Sequence, residues 1–337
     1  MQPVKFLLLR FSSIGDIVLT TPVVRGLKNQ VENAEVHFFT KPEYKDILEA
    51  NPYIDKVHVL RKDMRKQLDD LKYEFYDYII DLHKNLRTKR IISGLGIIDF
   101  TFDKLNWKKW YYVNFKVNKL PDKHIVDRYF KAVDIFDVEN DHQGLDYFIP
   151  SRDEVNASGF PPPFKEGYIA FAIGAKHNTK KLTTDKIISV IHQTGLPVIL
   201  LGGPEDRENG EAIARQCGDL VLNACGSYNI NQSASVIRQS RVVITHDTGL
   251  MHIASAFHKR IISVWGNTVP EFGMYPYMPH PDSILFEIHG LSCRPCSKLG
   301  FKKCPKKHFR CIMDIDSAAI ASKAAELFSD GPGSNAQ

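Results

Sequence analysis

The stretch VKFLLLRFSSIGDIVLTTPVVRGLKNQV, residues 4–31, determines the fold class expected for this chain. Its opening segment, VKFLLLRF (4–11), is apolar at nearly every position, which is typical of a strand buried on both faces. DIVLTTPVVRGLKNQV (16–31) has the apolar spacing of a helix, and AEVHFFT (34–40) predicts the next strand. This order is typical of a doubly wound α/β domain, in which helices cover both faces of a parallel sheet.

The same alternation continues on both sides of a segment without periodicity. Further strands are predicted at 56–60, 76–83, 168–174, 197–203, 241–246 and 260–266, and helices at 42–50, 124–136, 184–194, 205–216, 229–240, 249–257 and 314–330. Residues 138–167 lack a pattern, and the PPP at 161–163 fits neither a helix interior nor a central strand. We predict two doubly wound Rossmann-like domains, 1–155 and 156–330, facing a ligand-binding cleft, and a flexible tail at 331–337.

Composition limits the function classes. A chain of 337 residues suits two domains, and 43% apolar with 25% charged residues is ordinary globular composition. No run approaches the roughly 18 apolar residues of a membrane-spanning helix, and the N-terminus lacks the pattern of a signal peptide. Six cysteines are too sparse for a disulfide scaffold. We therefore expect a cytoplasmic globular protein.

Ligand chemistry is expected in the loops that follow the strands. In SSIGDIVLTTP (12–22), Gly15 permits a tight turn and Asp16 stands at the start of a helix. Asp16 can serve a bound ligand, or it can simply cap the helix together with Ser13. The loop lacks the G-x-G-x-x-G pattern of a dinucleotide site.

Two loops of the second half are suited to phosphate and ribose. Lys180 and Lys181 in GAKHNTKKLTTDK (174–186) precede a helix whose N-terminal amides can bind an anion; the alternative is two solvated lysines. Glu205 follows a strand that ends in two glycines and can accept the hydroxyls of a ribose. It can equally act as a favourable charge at the helix N-terminus.

The most informative loop lies within VVITHDTGLMHIASAF (242–257). A buried strand leads into His246, Asp247, Thr248 and Gly249, where a helix begins. Free backbone amides, a hydroxyl and a glycine at a helix start can hold a diphosphate. A capped turn would look similar, but the neighbouring GNT (266–268) adds a second polar loop and favours a ligand site.

These loops resemble glycosyltransferase family 9, the ADP-heptose:lipopolysaccharide heptosyltransferases. The resemblance rests on RFSSIGDIVLTTPVVRGL (10–27), GAKHNTKK (174–181), THDTGLMHIASAF (245–257) and IISVWGNT (261–268), and it spans nearly the whole chain. It implies a GT-B fold whose first domain holds the acceptor and whose second holds the nucleotide sugar. It further implies an inverting single displacement from ADP-heptose to the lipopolysaccharide inner core or a lipid A-linked acceptor, without a metal or other cofactor.

The resemblance also implies residue roles. Asp16 would be the general base and Lys180 would neutralise charge on the departing ADP. The substrate-binding positions would be Glu205, Asp247, Thr248, Gly249, Met251 and His252. Family members often carry Trp-Pro after the basic residue, where this chain has Leu182 and Thr183, so the choice between Lys180 and Lys181 stays open.

Basic residues after the third and fourth strands provide a possible acceptor site. Arg61, Arg65, Lys84 and Arg87 suit the carboxylates and phosphates of an inner core, or they lie on solvated helix faces. NWKKWYYV (106–113) mixes aromatic residues with lysines, which suits peripheral contact with the inner membrane surface or ordinary packing.

Four cysteines form the series Cys293-x2-Cys296-x7-Cys304-x6-Cys311, with His308 inside it and seven Lys or Arg and no acid between 293 and 311. The series indicates either a structural zinc site or reduced thiols in a basic loop. Rival functions are a glycosyltransferase with another nucleotide sugar or acceptor, and a zinc-containing nucleic-acid-binding protein. The modest net charge of +5 and the two similar halves argue against the nucleic-acid partner.

Overall fold

The computed structural model describes residues 2–330, so the tail predicted at 331–337 lies outside the described residues. The chain forms two compact units. One comprises the chain up to Leu105 together with Asp122–Pro150, and the other comprises Asn106–Pro121 and the chain from Ser151 onward. Residues 106–121 therefore associate with the second unit, although they precede the boundary expected from the sequence.

Each unit is built on one parallel sheet. The strands of the described residues are β1 (Val4–Leu9), β2 (Ala34–Thr40), β3 (Lys56–Val59), β4 (Tyr78–Asp81), β5 (Asp99–Thr101), β6 (Ile169–Ala172), β7 (Val198–Leu201), β8 (Val221–Asn223), β9 (Val242–His246), β10 (Arg260–Trp265) and β11 (Ile284–Glu287). The helices are α1 (Ile14–Val18), α2 (Thr21–Gln30), α3 (Met64–Lys72), α4 (Leu86–Leu95), α5 (Asn106–Phe115), α6 (Ile125–Phe130), α7 (Pro162–Lys165), α8 (Thr184–Thr194), α9 (Arg207–Cys217), α10 (Ile230–Gln239), α11 (Gly249–Ala256), α12 (Arg310–Met313) and α13 (Ser317–Ser329).

Strand order places a switch point in each sheet. The first sheet has the order β3-β2-β1-β4-β5 and the second has β11-β10-β9-β6-β7-β8, all pairs being parallel. In the first sheet, β2 and β3 are added on one side of β1, and β4 and β5 on the other side, so the switch point lies between β1 and β4. In the second sheet the switch point lies between β6 and β9. Loops at the carboxyl ends of such strand pairs are where open α/β sheets bind ligands. The predicted fold class, two doubly wound α/β units, is confirmed.

The sheets are buried because consecutive side chains pack on opposite faces. In β6, Ile169 and Phe171 pack in one apolar cluster, and Ala170 between them packs in another on the opposite face. In β1, the side chains from Phe6 to Leu9 have no exposed surface. Burial of each such large side chain contributes about 1.5–3 kcal/mol, which explains the unbroken apolar runs seen in the sequence.

Short and partly exposed elements escaped the sequence analysis. The strands β5, β8 and β11 have only three or four residues, none of them buried, and are too short for a strand pattern to be recognised. The single helix expected at 16–31 is two helices, because α2 restarts with Pro22 in its first turn, where a missing N–H costs nothing. None of the helices in residues 2–330 is long and apolar enough to cross a bilayer.

Candidate functional site

The switch point of the first sheet presents Asp16. The Ser13 backbone N–H and hydroxyl both donate to Asp16 Oδ2, at 3.1 and 2.7 Å. Asp16 Oδ1 forms an ion pair with the Arg10 guanidinium, and the Asp16 side chain keeps 22% of its surface exposed. The carboxylate thus caps α1, as one interpretation of the sequence expected, and part of its surface stays open to a ligand.

Arg10 is a site residue that the sequence analysis missed. Its side chain is buried and donates to the Ser12 carbonyl at 2.9 Å, to the Tyr129 hydroxyl at 3.0 Å and to the Leu82 carbonyl. Burial, the largest single effect, lowers the pKa of Arg10, but Asp16, Tyr129 and Asp81 together outweigh burial, so the pKa is raised. A charged residue directly after a fully apolar strand was the available signal, because a buried charge requires a partner.

His83 lies beside this pair. Burial, followed by the charge of Arg10, lowers the pKa of His83 to about 4, so the ring is neutral at pH 7. Its ring packs edge-on against Phe11, with 5.5 Å between centroids. Within the described residues, the buried Nδ1 of His83 has no hydrogen-bond partner. The ring can therefore offer a polar atom to a ligand without adding charge.

Of the predicted acceptor residues, Arg87 lies over the ring of Phe11, the residue directly before the Asp16 loop. Its guanidinium carbon is 5.9 Å from the centroid of the Phe11 ring. The Lys84 ammonium donates to the Phe102 carbonyl at 2.8 Å and so ties its loop to the residue after β5.

Arg61 and Arg65 are exposed on the β3–α3 loop and the first turn of α3. The Arg61 guanidinium pairs with Asp70 at 2.7 Å. Because β3 and β4 are parallel strands of the same sheet, these arginines and Arg87 follow strand ends on one edge.

The switch point of the second sheet joins Lys180 to Asp247. Lys180 Nζ lies 2.6 Å from Asp247 Oδ2 and 3.2 Å from its carbonyl oxygen. The Thr268 hydroxyl donates to the same Oδ2 at 2.9 Å. The Lys180 and Asp247 side chains retain 15% and 13% of their surface. The predicted loops after β6, β9 and β10 therefore meet at the Asp247 carboxylate.

Lys181 makes a different contact. Its ammonium pairs with Asp206 at 3.0 Å, and Asp206 in turn accepts from the Gly203 N–H at 3.1 Å. A side chain on Gly174 would collide with this carboxylate, since an added Cβ would stand 2.3 Å from Asp206 Oδ2. Of the two adjacent lysines, Lys180 is thus the one directed at the loop after β9.

The start of α11 supplies backbone donors. Thr248 is the residue before the helix, and its hydroxyl makes no capping bond but lies 3.4 Å from the Thr245 hydroxyl. The first N–H groups of a helix lack an intrahelical acceptor, so those from Gly249 onward can bind an anion. Met251 and His252 are buried at 0% and 2% exposure, so they pack beneath this turn.

Glu205 is exposed after β7, and its carboxylate lies over Gly203, where an added Cβ would be 2.4 Å from Glu205 Oε2. A carboxylate in this position is accessible to the hydroxyls of a ligand. The carboxylate of the next residue, Asp206, is buried and occupied by Lys181.

One further cluster in the first unit has metal-binding residue types. Ring nitrogens of His37 and His58 and a Glu74 carboxylate oxygen lie within 4.8 Å of one another. The Tyr76 hydroxyl contacts a nitrogen of each histidine at 2.8 Å, and Lys56 pairs with Glu74 at 2.5 Å. These polar atoms are therefore already paired within the protein.

The chain is similar in sequence to known glycosyltransferases. The family model of glycosyltransferase family 9 (heptosyltransferase) matches residues 64–304, more than half of the chain. Lipooligosaccharide heptosyltransferase 2 of Haemophilus influenzae is 23% identical over 290 residues, covering 77% of this chain and 83% of the relative. Lipopolysaccharide heptosyltransferase 3 of Escherichia coli K12 is also 23% identical, covering 75% and 80%.

The fold is similar to that of a solved heptosyltransferase structure. The solved structure of E. coli ADP-heptose lipopolysaccharide heptosyltransferase II superimposes with a TM-score of 0.73 at 17% identity, covering 97% of this chain and 99% of that one. At this identity the likeness establishes the GT-B fold alone. Taken with the family match, it shows that the chain is a glycosyltransferase and belongs to glycosyltransferase family 9, the heptosyltransferases.

Proposed function

We propose that this glycosyltransferase moves heptose from ADP-heptose to the inner-core oligosaccharide of lipopolysaccharide, with inversion at the anomeric carbon. The observation that carries the proposal is the Lys180–Asp247 pair beside the first backbone amides of α11, at the switch point of the second sheet in a family 9 chain. The names of the relatives support the transferred sugar and the acceptor, since they include lipooligosaccharide and lipopolysaccharide heptosyltransferases, and the name of the E. coli structure includes ADP-heptose.

The donor half of the mechanism is assigned to the second unit. The diphosphate of ADP-heptose replaces Asp247 as the partner of the Lys180 ammonium and accepts from the first amides of α11. Asp247, released from Lys180 but still held by the Thr268 hydroxyl, accepts a hydroxyl of the heptose. Glu205 accepts the ribose hydroxyls. Lysine and helix amides then carry the charge that grows on ADP as the bond to the anomeric carbon breaks.

The acceptor half is assigned to the first unit. Asp16 takes the proton of the acceptor hydroxyl while the acceptor oxygen bonds to the anomeric carbon. In the same step the bond from that carbon to ADP breaks, and ADP departs with the bonding electron pair. The Arg10 guanidinium holds the Asp16 carboxylate in place, and the Ser13 hydroxyl fixes the orientation of its second oxygen. Arg87, Arg61, Arg65 and Lys84 bind the acidic groups of the inner core.

We also place the protein in the cytoplasm, with peripheral contact to the inner membrane, where a lipid-borne acceptor is found. The support is α5, none of whose residues is buried. Trp107 and Trp110 are 74% and 43% exposed, and Lys108 and Lys109 lie between them. Sedimentation with vesicles containing anionic lipid should fall in Trp107→Ser/Trp110→Ser, and unchanged sedimentation would remove this surface from the proposal.

Donor identity is tested by calorimetry and turnover with ADP-, UDP- and GDP-sugars on a purified acceptor. We expect ADP-heptose to give the highest kcat/KM. A clear preference for a UDP-sugar would instead support the rival family 9 enzyme with another donor. The nucleic-acid-binding alternative is set aside, because the family match at 64–304 extends over parts of both units.

A further inference from the structure

Four side chains of the first unit, His37, His58, Glu74 and Tyr76, form a group that we call the histidine cluster. His37 lies in β2 and His58 lies in the neighbouring strand β3, whereas Glu74 and Tyr76 lie in the connection between α3 and β4. Among the described residues, the two histidines and Glu74 are the one group of His, Cys, Asp or Glu side chains whose ligand atoms lie within 4.8 Å of one another. Three separate segments of chain thus bring metal-binding residue types to one point.

The spacing of the two rings matches that of two ligands of one ion. His37 Nδ1 and His58 Nε2 face each other at 3.3 Å, and the Tyr76 hydroxyl lies 2.8 Å from each of them. The Glu74 carboxylate completes the group, with Oε2 4.0 Å from His37 Nδ1 and Oε1 3.9 Å from His58 Nε2. Two nitrogens bound to a tetrahedral zinc at about 2.0–2.1 Å are separated by about 3.3–3.4 Å. The rings therefore need little movement to share one ion.

Glu35 determines which nitrogen of His37 faces the cluster. Glu35 Oε1 lies 2.8 Å from His37 Nε2, and an ionised carboxylate can only accept, so Nε2 carries the hydrogen. In the neutral ring the lone pair is then on Nδ1, the atom that faces His58. A carboxylate behind a histidine is the usual partner of a metal-bound imidazole, because it fixes the tautomer and makes the ligating nitrogen more basic.

An ion would bond to the atoms that are now hydrogen-bonded, without displacing the lysine. The Lys56 ammonium donates to Glu74 Oε1 at 2.5 Å, whereas Oε2 is the oxygen nearer to His37 Nδ1. Glu74 Oε2 can therefore bind a cation while Oε1 keeps its contact with Lys56. The Tyr76 hydroxyl, already between the two rings, exchanges its hydrogen bonds for one bond to the same cation.

Burial and charge favour a divalent ion at this position. His37 and Tyr76 are only 2% and 6% exposed. The His58 and Glu74 side chains keep 14% and 20% of their surface, so an ion can enter from their side. One carboxylate and one phenolate balance the charge of a divalent ion, which limits the cost of placing that ion in a buried site.

We propose that the histidine cluster binds one Zn²⁺ in tetrahedral geometry. The ligands are His37 Nδ1, His58 Nε2, Glu74 Oε2 and Tyr76 Oη. On binding, the Tyr76 hydroxyl releases its proton to solvent and its oxygen bonds to the ion, while both imidazoles bind as neutral rings and no atom is oxidised or reduced. Imidazole and carboxylate ligands at these lengths are those of zinc.

The proposed ion has a structural role, because it ties an edge strand to the rest of the first unit. β3 has four residues, none of them buried, and it pairs only with β2 at the edge of the sheet. Segments with few buried apolar contacts open most easily. An ion that bridges β3 to β2 and to the residues before β4 supplies the link that apolar packing does not.

Calorimetric titration of the full-length, chelator-treated protein with ZnCl₂ tests the site. We expect one Zn²⁺ per chain with a Kd below about 1 µM, which Glu74→Gln and His58→Gln should each weaken by more than about 100-fold. Even partners that only orient a ligand contribute about 10- to 100-fold, so loss of a ligand should cost more. Saturating Zn²⁺ should raise Tm by on the order of 5 °C in the unaltered chain and not in the variants.

A control variant and a second readout make the assignment specific. His280→Gln removes a histidine that also contacts a carboxylate, Asp282 at 3.4 Å, but lies in the second unit, and it should bind Zn²⁺ like the unaltered chain. The cysteine series at 293–311 can also take up zinc, so a crystal soaked with ZnCl₂ locates the ion by its anomalous scattering. We expect a peak about 2.0–2.1 Å from His37 Nδ1 and from His58 Nε2.

Two results would overturn the proposal. One is a titration of Glu74→Gln and His58→Gln that equals that of the unaltered chain, and the other is an anomalous map with zinc at the cysteines and none at the histidine cluster. Glu74→Gln preserves the shape of a partly exposed side chain, so circular dichroism should confirm that it folds. None of these measurements uses the donor or the acceptor, so they decide the zinc site independently of the proposed function.

Discussion

Replacement of Lys180 by methionine tests the donor site in most detail. Methionine keeps a long unbranched side chain but removes the ammonium that lies 2.6 Å from Asp247 Oδ2. A charge-assisted hydrogen bond to a diphosphate contributes about 1.5–3 kcal/mol. Binding must first separate Lys180 from Asp247, and that pair is worth about 1 kcal/mol in its partly exposed position. The difference, about 0.5–2 kcal/mol, predicts a loss of ADP affinity of about 2- to 30-fold.

The loss in turnover should be larger than the loss in affinity. Charge on the leaving ADP grows toward the transition state, so a cation aimed at it matters more there than in the ground state. Removal of one such stabilising group costs about 100-fold in kcat or more. Lys181→Met is the matched control, because that lysine pairs with Asp206 instead.

The assay combines calorimetry with ADP and steady-state turnover with donor and acceptor. Lys180→Met should show both losses, and Lys181→Met should bind ADP within a few-fold of the unaltered chain. Unchanged ADP affinity in Lys180→Met together with a large loss in Lys181→Met would refute the assignment. The phosphate ligand would then be the neighbouring lysine.

Three further predictions concern the first unit. Asp16→Asn should preserve ADP affinity and reduce kcat by at least about 100-fold, and normal turnover would leave Asp16 as a helix cap. Arg10→Met removes a buried partner of Asp16 and should lower the free energy of unfolding in urea by about 3 kcal/mol; a loss below about 1 kcal/mol would mean that the ion pair is dispensable. Burial, followed by the charge of His37, lowers the pKa of His58 from 6.5 to about 4. Between pH 4 and 6.5 the His58 ring is therefore protonated in the unfolded chain but neutral in the folded protein. The free energy of unfolding should therefore fall from pH 6.5 to 4, by about 1–2 kcal/mol after allowance for partial exposure, and His58→Phe should show a flatter profile.

The sequence predicted the fold well where burial dictates the residue pattern. The run from Phe6 to Leu9 predicts a buried strand without ambiguity, because every side chain in it is apolar and buried. The helix expected at 184–194 begins and ends where α8 does. The strands β5, β8 and β11 have too few buried side chains to leave a pattern.

Long-range partners were beyond the reach of local patterns. Arg10 is held by Tyr129, a residue 119 positions away, and nothing near Arg10 in the sequence specifies that contact. Lys180 and Lys181 are adjacent in the sequence, so local patterns could not tell which of them binds the phosphate. The structure separates them, because Lys180 ends a 3-10 turn whereas Lys181 has extended backbone, so their side chains reach Asp247 and Asp206 respectively.

In the proposed function, the loops after β6 and β9 bind the diphosphate of the donor. A crystal of the protein soaked with ADP-heptose would locate that diphosphate. We expect it within hydrogen-bond distance of Lys180 Nζ and the first amides of α11, with Lys180 moved off Asp247. A donor bound elsewhere, with the 2.6 Å contact between Lys180 and Asp247 intact, would contradict the proposal.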